Sequence, residues 1–202
     1  MILPDKKIIF IHIPKCGGSS IERALARHAD ETIIEESKAS FTLRYGVIQR
    51  QIEQHFNITF GEYKHLTAKQ YKEFLGKEYN DYYVFSVIRS PVARIKSLIR
   101  WSGIEALNDD TIAINLKYHN SWYPANKFLQ DDEGNIIVDK VLHFNNLSDE
   151  FFDLINNLNI KHINLPHLNK AEKSVNKHLD VNVEGIVQKY YSEELKLYND
   201  FF

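Results

Sequence analysis

The sequence predicts an α/β fold with a central parallel sheet flanked by helices. Two short runs, Ile8 to Ile13 and Tyr82 to Ile88, are apolar or rich in aromatic and β-branched residues, as buried strands are. Each run ends at a turn and is followed by residues recurring at helical spacing: Ile21, Ala24 and Leu25 after the first, and Val92, Ile95, Leu98 and Ile99 after the second. Strand and helix patterns go on alternating, which points to a parallel sheet. In such sheets ligands sit outside the carboxyl ends of the strands, where both turns lie.

The bulk properties narrow the classes. With 202 residues the chain is expected to form one domain, 1–202, with a sizeable core. The hydrophobic fraction of 44% and charged fraction of 26% are those of an ordinary globular chain. Lys plus Arg is 25 against 27 for Asp plus Glu, a formal charge of -2, so no general case for a nucleic-acid partner exists. The single cysteine cannot form an internal disulfide, which suits a reducing compartment. There is no apolar run of transmembrane length, and the first strand starts by Ile8, which leaves no room for a signal peptide. A cytoplasmic protein is expected. No group of His, Cys or carboxylate residues has metal-ligand spacing, so no metal is expected. Repeats, low-complexity segments and internal linkers are absent from the sequence.

The first turn carries the clearest chemistry. Phe10-Ile11-His12-Ile13-Pro14-Lys15-Cys16-Gly17-Gly18-Ser19-Ser20-Ile21-Glu22 reads as strand, tight loop, helix. A helix start leaves backbone N–H groups unpaired, glycines let a ligand approach the backbone, and the helix dipole favours negative charge. The loop is thus a candidate anion site, with Lys15 beside it as a point charge. Ser19 and Glu22 also match a capping box, which needs no ligand. A Walker A loop would carry its lysine after the glycines, which disfavours an ordinary nucleotide triphosphatase. A cysteine phosphatase would need an arginine six residues after Cys16, where Glu22 stands.

The segment His12-Ile13-Pro14-Lys15-Cys16-Gly17-Gly18-Ser19-Ser20 resembles the 5′-phosphosulfate loop of carbohydrate sulfotransferases related to the heparan and chondroitin sulfotransferases. Those enzymes use 3′-phosphoadenosine 5′-phosphosulfate (PAPS). Cys16 stands where the family commonly has threonine. The resemblance implies a three-layer, P-loop NTPase-like fold, PAPS as donor, 3′-phosphoadenosine 5′-phosphate as product and no metal. It also implies that Lys15, Cys16, Gly17, Gly18, Ser19 and Ser20 hold the 5′-phosphosulfate, with Lys15 catalytic as well. The chain would be a soluble, microbial-type member.

Residues 29–46 are polar and weakly patterned and read as loop. Val47, Ile48, Ile52 and Phe56 suggest a short helix before Asn57, and Thr67 is an expected N-cap for a helix running to about Leu75. Just ahead of that helix stand the candidate bases His65 and Glu62. In the resembled family a similar segment supplies a histidine near the acceptor hydroxyl. After the second strand, Ser90 is expected to cap and Pro91 to open a helix. Arg89 and Ser97, eight residues apart, resemble the family's 3′-phosphate segment: the arginine fork and a hydroxyl both suit phosphate. Arg94, Lys96 and Arg100 read as a solvated basic face.

Further on, Thr111 to Tyr118 is an expected helix and Asp131 to Asn135 a turn. The aromatic bulk of Trp122 and Tyr123 fits either a sugar surface or local core. Ile136 to Val138 is expected to pair with Val141 to Phe144, and Ser148 to cap a helix bearing Phe151, Leu154 and Ile155. Asn169 and Lys170 resemble the family's late loop and join the nucleotide-binding set. Val183 to Gln188 and Ser192 to Tyr198 read as short helices, with the last tyrosine and phenylalanine residues docked on the core.

The expected function is O-sulfation, sulfonate transfer from PAPS to a hydroxyl of an acceptor, which the resemblance makes a carbohydrate. A P-loop kinase-like phosphotransferase would instead need ATP and Mg²⁺. A non-catalytic nucleotide-binding protein would keep Arg89 and Ser97 yet transfer nothing. Cys16, at a helix start, is expected to have a lowered pKa and a reactive thiol.

Overall fold

The computed structural model describes residues 1–25, 32–37, 40–104, 107–160, 165–166 and 182–202. The chain opens with β1 (Ile2–Leu3), β2 (Ile8–Ile11) and α1 (Gly18–Leu25), then β3 (Thr32–Ser37), β4 (Ser40–Tyr45) and α2 (Gly46–Phe56). Next come α3 (Phe60–Tyr63), α4 (Ala68–Leu75), β5 (Tyr83–Ile88), α5 (Pro91–Ser102), α6 (Asp109–Tyr118) and α7 (Asn126–Leu129). The chain closes with β6 (Lys140–His143), α8 (Leu147–Asn157), α9 (Val183–Tyr190) and α10 (Ser192–Phe201).

The main sheet has the order β1-β2-β5-β6. β2, β5 and β6 are parallel, in a register that pairs Ile11 with Ser86 and Ile88 with His143. β2 is buried along its whole length, and β5 from Val84 onward, as strands covered on both faces must be. Ser86, fully buried at the centre, is satisfied by donating its hydroxyl to the Ile11 carbonyl at 2.8 Å. The expected parallel sheet is therefore present, with an added antiparallel edge strand, β1, ahead of the first strand read from the sequence.

Other sequence expectations hold. Thr67 and Gln70 form a capping box at the start of α4. Pro91 opens α5, although Ser90 makes no side-chain cap, and α6, α9 and α10 lie where helices were expected. Other expectations fail. Residues 29–46 are not simply loop, because β3 and β4 pair antiparallel from Thr32↔Tyr45 to Ser37↔Ser40. Ile136 forms an isolated antiparallel bridge with Gln130 rather than pairing with Val141 to Phe144, and β6 pairs in parallel with β5. Ser148 lies inside α8, whose cap position is Asn146.

Two apolar clusters hold the layers. The larger joins β2, β5 and β6 to Ile21 and Leu25 of α1, Tyr71 of α4, and Phe151, Leu154 and Ile155 of α8. The smaller joins Ile95, Leu98 and Ile99 of α5 to Trp122, Val183, Val187 and Tyr191, so Trp122 is core. Of the terminal aromatics, Tyr198 packs against the larger cluster, whereas Phe201 and Phe202 stay exposed.

The buried face of α5 consists of Pro91, Arg94, Ile95, Leu98 and Ile99. Arg94 is thus not on a solvated face; it is 0% exposed. Its Nε donates to Glu194 Oε1 at 2.7 Å, and its Nη2 donates to Glu194 Oε2 and to the Tyr123 carbonyl. Glu194 Oε2 also accepts from the Ala125 N–H at 2.8 Å. Burial alone would lower the arginine's pKa, but the Glu194 carboxylate beside it drives it up. The pair ties α5 to α10, and breaking one side leaves a buried charge. Glu194→Gln should cost about 3–5 kcal/mol in urea unfolding, whereas Arg94→Met combined with Glu194→Leu should recover most of it. A single variant as stable as the wild type would contradict this account.

Candidate functional site

The ends of β2, β5 and β6 bring three short connections to one edge of the sheet. After β2 the chain turns through Pro14 to Gly17, with Lys15 at φ 67° and Gly17 at φ 82°. Left-handed backbone suits glycine but is uncommon for lysine, so local strain is held at Lys15. The Ser20 N–H returns to the Gly17 carbonyl at 3.0 Å. The N–H groups of Gly17, Gly18 and Ser19 have no backbone partner among the described residues, as expected at a helix start. A Cβ on Gly18 would lie 2.2 Å from the His12 ring, so only glycine fits over that imidazole.

His12 is fixed from below. Its Nδ1 lies 2.8 Å from Glu22 Oε1, and Glu22 Oε2 takes Lys64 Nζ at 3.2 Å. Glu22 therefore does not complete a capping box with Ser19. Its burial would raise the carboxyl pKa, but His12 and Lys64 outweigh that and hold it at about 2.

The second connection carries Arg89. Its Nη1 approaches the Lys15 carbonyl at 3.4 Å, and its guanidinium lies 4.4 Å from the centre of the Phe144 ring. Lys15 and Arg89 are both about half-buried, and neither has a carboxylate partner among the described residues. Burial, and then the neighbouring Arg89, lower the Lys15 pKa; burial, and then Arg100, act the same way on Arg89. Two half-buried cations near helix-start N–H groups that lack a backbone partner among the described residues are suited to an anion. The Lys15 ammonium also sits 5.2 Å from the centre of the Trp101 ring, which is 65% exposed. Ser97, one turn before Trp101, lies on the same side of α5 and is half-buried.

His65 and Glu62 are in different surroundings. His65 Nδ1 is 3.1 Å from the His12 carbonyl, and the two rings meet edge to face at 4.7 Å. A carbonyl only accepts, so Nδ1 carries the hydrogen and the Nε2 lone pair is left free. Burial, with the positive field of His12, pushes the His65 pKa down to about 3, keeping the ring neutral. Glu62 is exposed, and its Oε2 accepts from both the N–H and the hydroxyl of Thr59 at 2.8 Å. Those bonds lower its pKa.

Cys16 corrects one expectation. It is 1% exposed, and burial pushes its thiol up to about 12, so it is neither reactive nor ionised. Ser20 is buried and Ser19 partly so. Asn169 and Lys170 lie outside the described residues. The sequence reading overlooked the His12–Glu22–Lys64 network and Phe144. The signal for Glu22 was its place on the inward face of α1, with Gly18, Ile21 and Leu25. For Phe144 it was its position just past a strand end, as at the other two junctions.

A parallel sheet whose strand ends gather, around a helix start, cations with no carboxylate partner among the described residues defines an α/β protein with a site suited to an anionic ligand. The model of the sulfotransferase family matches residues 1–100, and through that match the chain belongs to the family. It is accordingly a transferase-type protein, with sulfonate transfer as the general chemistry. No curated protein and no solved structure matches the chain. The matched half contains Lys15, Glu62, His65, Arg89 and Ser97. Among the described residues no group of ligating side chains is arranged for a metal, and no helix is long and apolar enough to cross a membrane.

The pKa shifts fix an acid dependence of stability. An unfolded imidazole takes up a proton near pH 6.5, which folded His65 refuses until about 3. An unfolded glutamate does so near 4.5, which Glu22 refuses until about 2. Both contributions are therefore complete above the unfolded values and are lost as pH falls. Urea midpoints should show the gap between wild type and His65→Asn narrowing from pH 7 to pH 5; a constant gap would contradict a neutral, buried His65.

Proposed function

We propose that this protein transfers a sulfonate group from PAPS to a hydroxyl of a carbohydrate acceptor. The observation that carries the reading is the pairing of Lys15 and Arg89. Two half-buried cations, with no carboxylate partner among the described residues, stand at neighbouring parallel strand ends, beside a helix start whose first N–H groups have no backbone partner among the described residues. The donor supplies the sulfonate on a phosphosulfate linkage and is bound as a substrate.

In this reading the residues from Lys15 to Ser20 hold the 5′-phosphosulfate, while Arg89 and Ser97 take the 3′-phosphate. Asn169 and Lys170 are proposed to close over the nucleotide. Positioning supplies much of the rate. The acceptor oxygen forms the new bond to sulfur as the bond to the bridging phosphate oxygen breaks. His65 Nε2 takes the hydroxyl proton, and Lys15 neutralises the charge that grows on the departing oxygen. The orientation of His65 supports this role, since Nδ1 is occupied and Nε2 carries the lone pair. Glu22 nearby favours the imidazolium once the proton arrives. Glu62 is the second choice for the base, because its carboxylate is already engaged by Thr59.

The exposed Trp101 ring beside Lys15 offers an aromatic face of the kind on which sugar C–H surfaces pack, and this supports a carbohydrate acceptor. The wider reading is of one domain with the three-layer, P-loop-like sulfotransferase fold. It works in the cytoplasm, where its single cysteine needs no partner.

The test is turnover with PAPS and a panel of glycans, following sulfated product by mass spectrometry. Lys15→Ala should lower kcat by about a hundredfold or more, roughly 3 kcal/mol. His65→Ala should keep nucleotide binding and lose turnover. Unchanged product formation by Lys15→Ala would remove the lysine from the mechanism, and normal turnover by His65→Ala would pass the base to Glu62.

A further inference from the structure

The third parallel strand, β6, ends at His143, and the next residue places an aromatic ring between the other two junctions. The Arg89 guanidinium lies 4.4 Å from the centre of the Phe144 ring. Gly17 rests against the same ring, because a Cβ there would lie 3.1 Å from Phe144 Cε2 and from Leu147 Cδ2. One side chain therefore touches both the positive-φ turn of the first loop and the cation of the second.

An arginine that is to grip a phosphate loses rotamer freedom on binding unless it is held beforehand. A carboxylate could hold it but would also neutralise it. An aromatic ring holds the flat face of a guanidinium and leaves its N–H edge and its charge available. Arg89 has the ingredients of that arrangement: its guanidinium carbon over the Phe144 ring, one nitrogen directed at the Lys15 carbonyl at 3.4 Å, and no carboxylate partner among the described residues. The Gly17 contact adds a second constraint. With Phe144 and Leu147 on the side where a Cβ would project, the Gly17 turn, at φ 82°, cannot come closer to the ring.

We propose that Phe144 is a positioning residue for the nucleotide, setting the spacing between the Gly17 turn and the N–H edge of Arg89. It thereby selects a ligand with two separated anionic groups over one with a single group. This rests on the reading that the two junctions hold the two phosphate positions of a 3′-phosphorylated nucleotide.

Calorimetric titration with 3′-phosphoadenosine 5′-phosphate and with 5′-AMP tests it, using wild type, Phe144→Ala, Phe144→Leu and Phe144→Tyr, each checked for folding by circular dichroism. Phe144→Ala should weaken the bisphosphate by about tenfold and 5′-AMP by clearly less. Phe144→Leu, which keeps bulk beside Gly17 but has no ring, should lie between, and Phe144→Tyr should restore binding. In an Arg89→Ala background, Phe144→Leu should cost little more. Bisphosphate preference that survives in both Phe144→Ala and Phe144→Leu overturns the proposal, as does an equal loss with and without Arg89. A wild-type protein that does not prefer the bisphosphate overturns the two-phosphate reading and this inference with it.

Discussion

The buried carboxylate of Glu22 is the constraint on which the site depends. A charge removed from water is tolerated only when cations and hydrogen bonds surround it. Here the surrounding groups are His12, which leads out of β2, and Lys64, which precedes α4. One side chain on the first turns of α1 therefore ties together the end of a central strand, the start of that helix and the segment bearing His65. Gly18 follows from the same arrangement, because the His12 ring occupies the space where a Cβ would be.

On the other side of the loop the balance is reversed. Lys15 and Arg89 stand close together with no carboxylate among the described residues, and burial lowers the pKa of each. Lys15 also holds a left-handed backbone conformation. Strain and unneutralised charge are costs that a purely structural turn has no reason to carry; an anionic ligand offsets them. The molecule thus pairs its buried Glu22 carboxylate with His12 and Lys64 and, among the described residues, leaves Lys15 and Arg89 without a carboxylate a short way off.

Much of this was legible in the residues. The alternation of strands and helices gave the parallel centre, and the order of Lys15, Gly17 and Gly18 set the first loop apart from a Walker A loop. What was missed has a common cause. Arg94 and Glu22 both occupy inward positions on their helices, Arg94 with Pro91, Ile95 and Leu98, Glu22 with Gly18, Ile21 and Leu25. Helical spacing marked both as buried, but their charge suggested solvent or a cap. Each partner lay elsewhere in the chain, 100 residues away in the case of Glu194, and no local pattern could supply it. The β3–β4 hairpin escaped because Thr32 to Ser37 sets two apolar residues beside two acidic ones with no period of two; the alternation of Phe41, Leu43 and Tyr45 in β4 was the signal overlooked. Cys16 was misjudged for a different reason: proximity to a helix start lowers a thiol pKa only if the thiol is not also sealed from water.

The central claim is that two strand-end loops form one site for a nucleotide phosphorylated at both ends of its ribose. The most direct measurement is thermal unfolding with 3′-phosphoadenosine 5′-phosphate, compared with ADP and with ATP plus Mg²⁺, in wild type and Arg89→Ala. A ligand at about a hundred times its dissociation constant adds about 2.7 kcal/mol to a folded protein, enough to shift the midpoint by a few degrees. The account predicts a rise with the 3′-phosphorylated nucleotide alone, abolished by Arg89→Ala. Stabilisation by ATP plus Mg²⁺ in its place, or by none of the three, would contradict it.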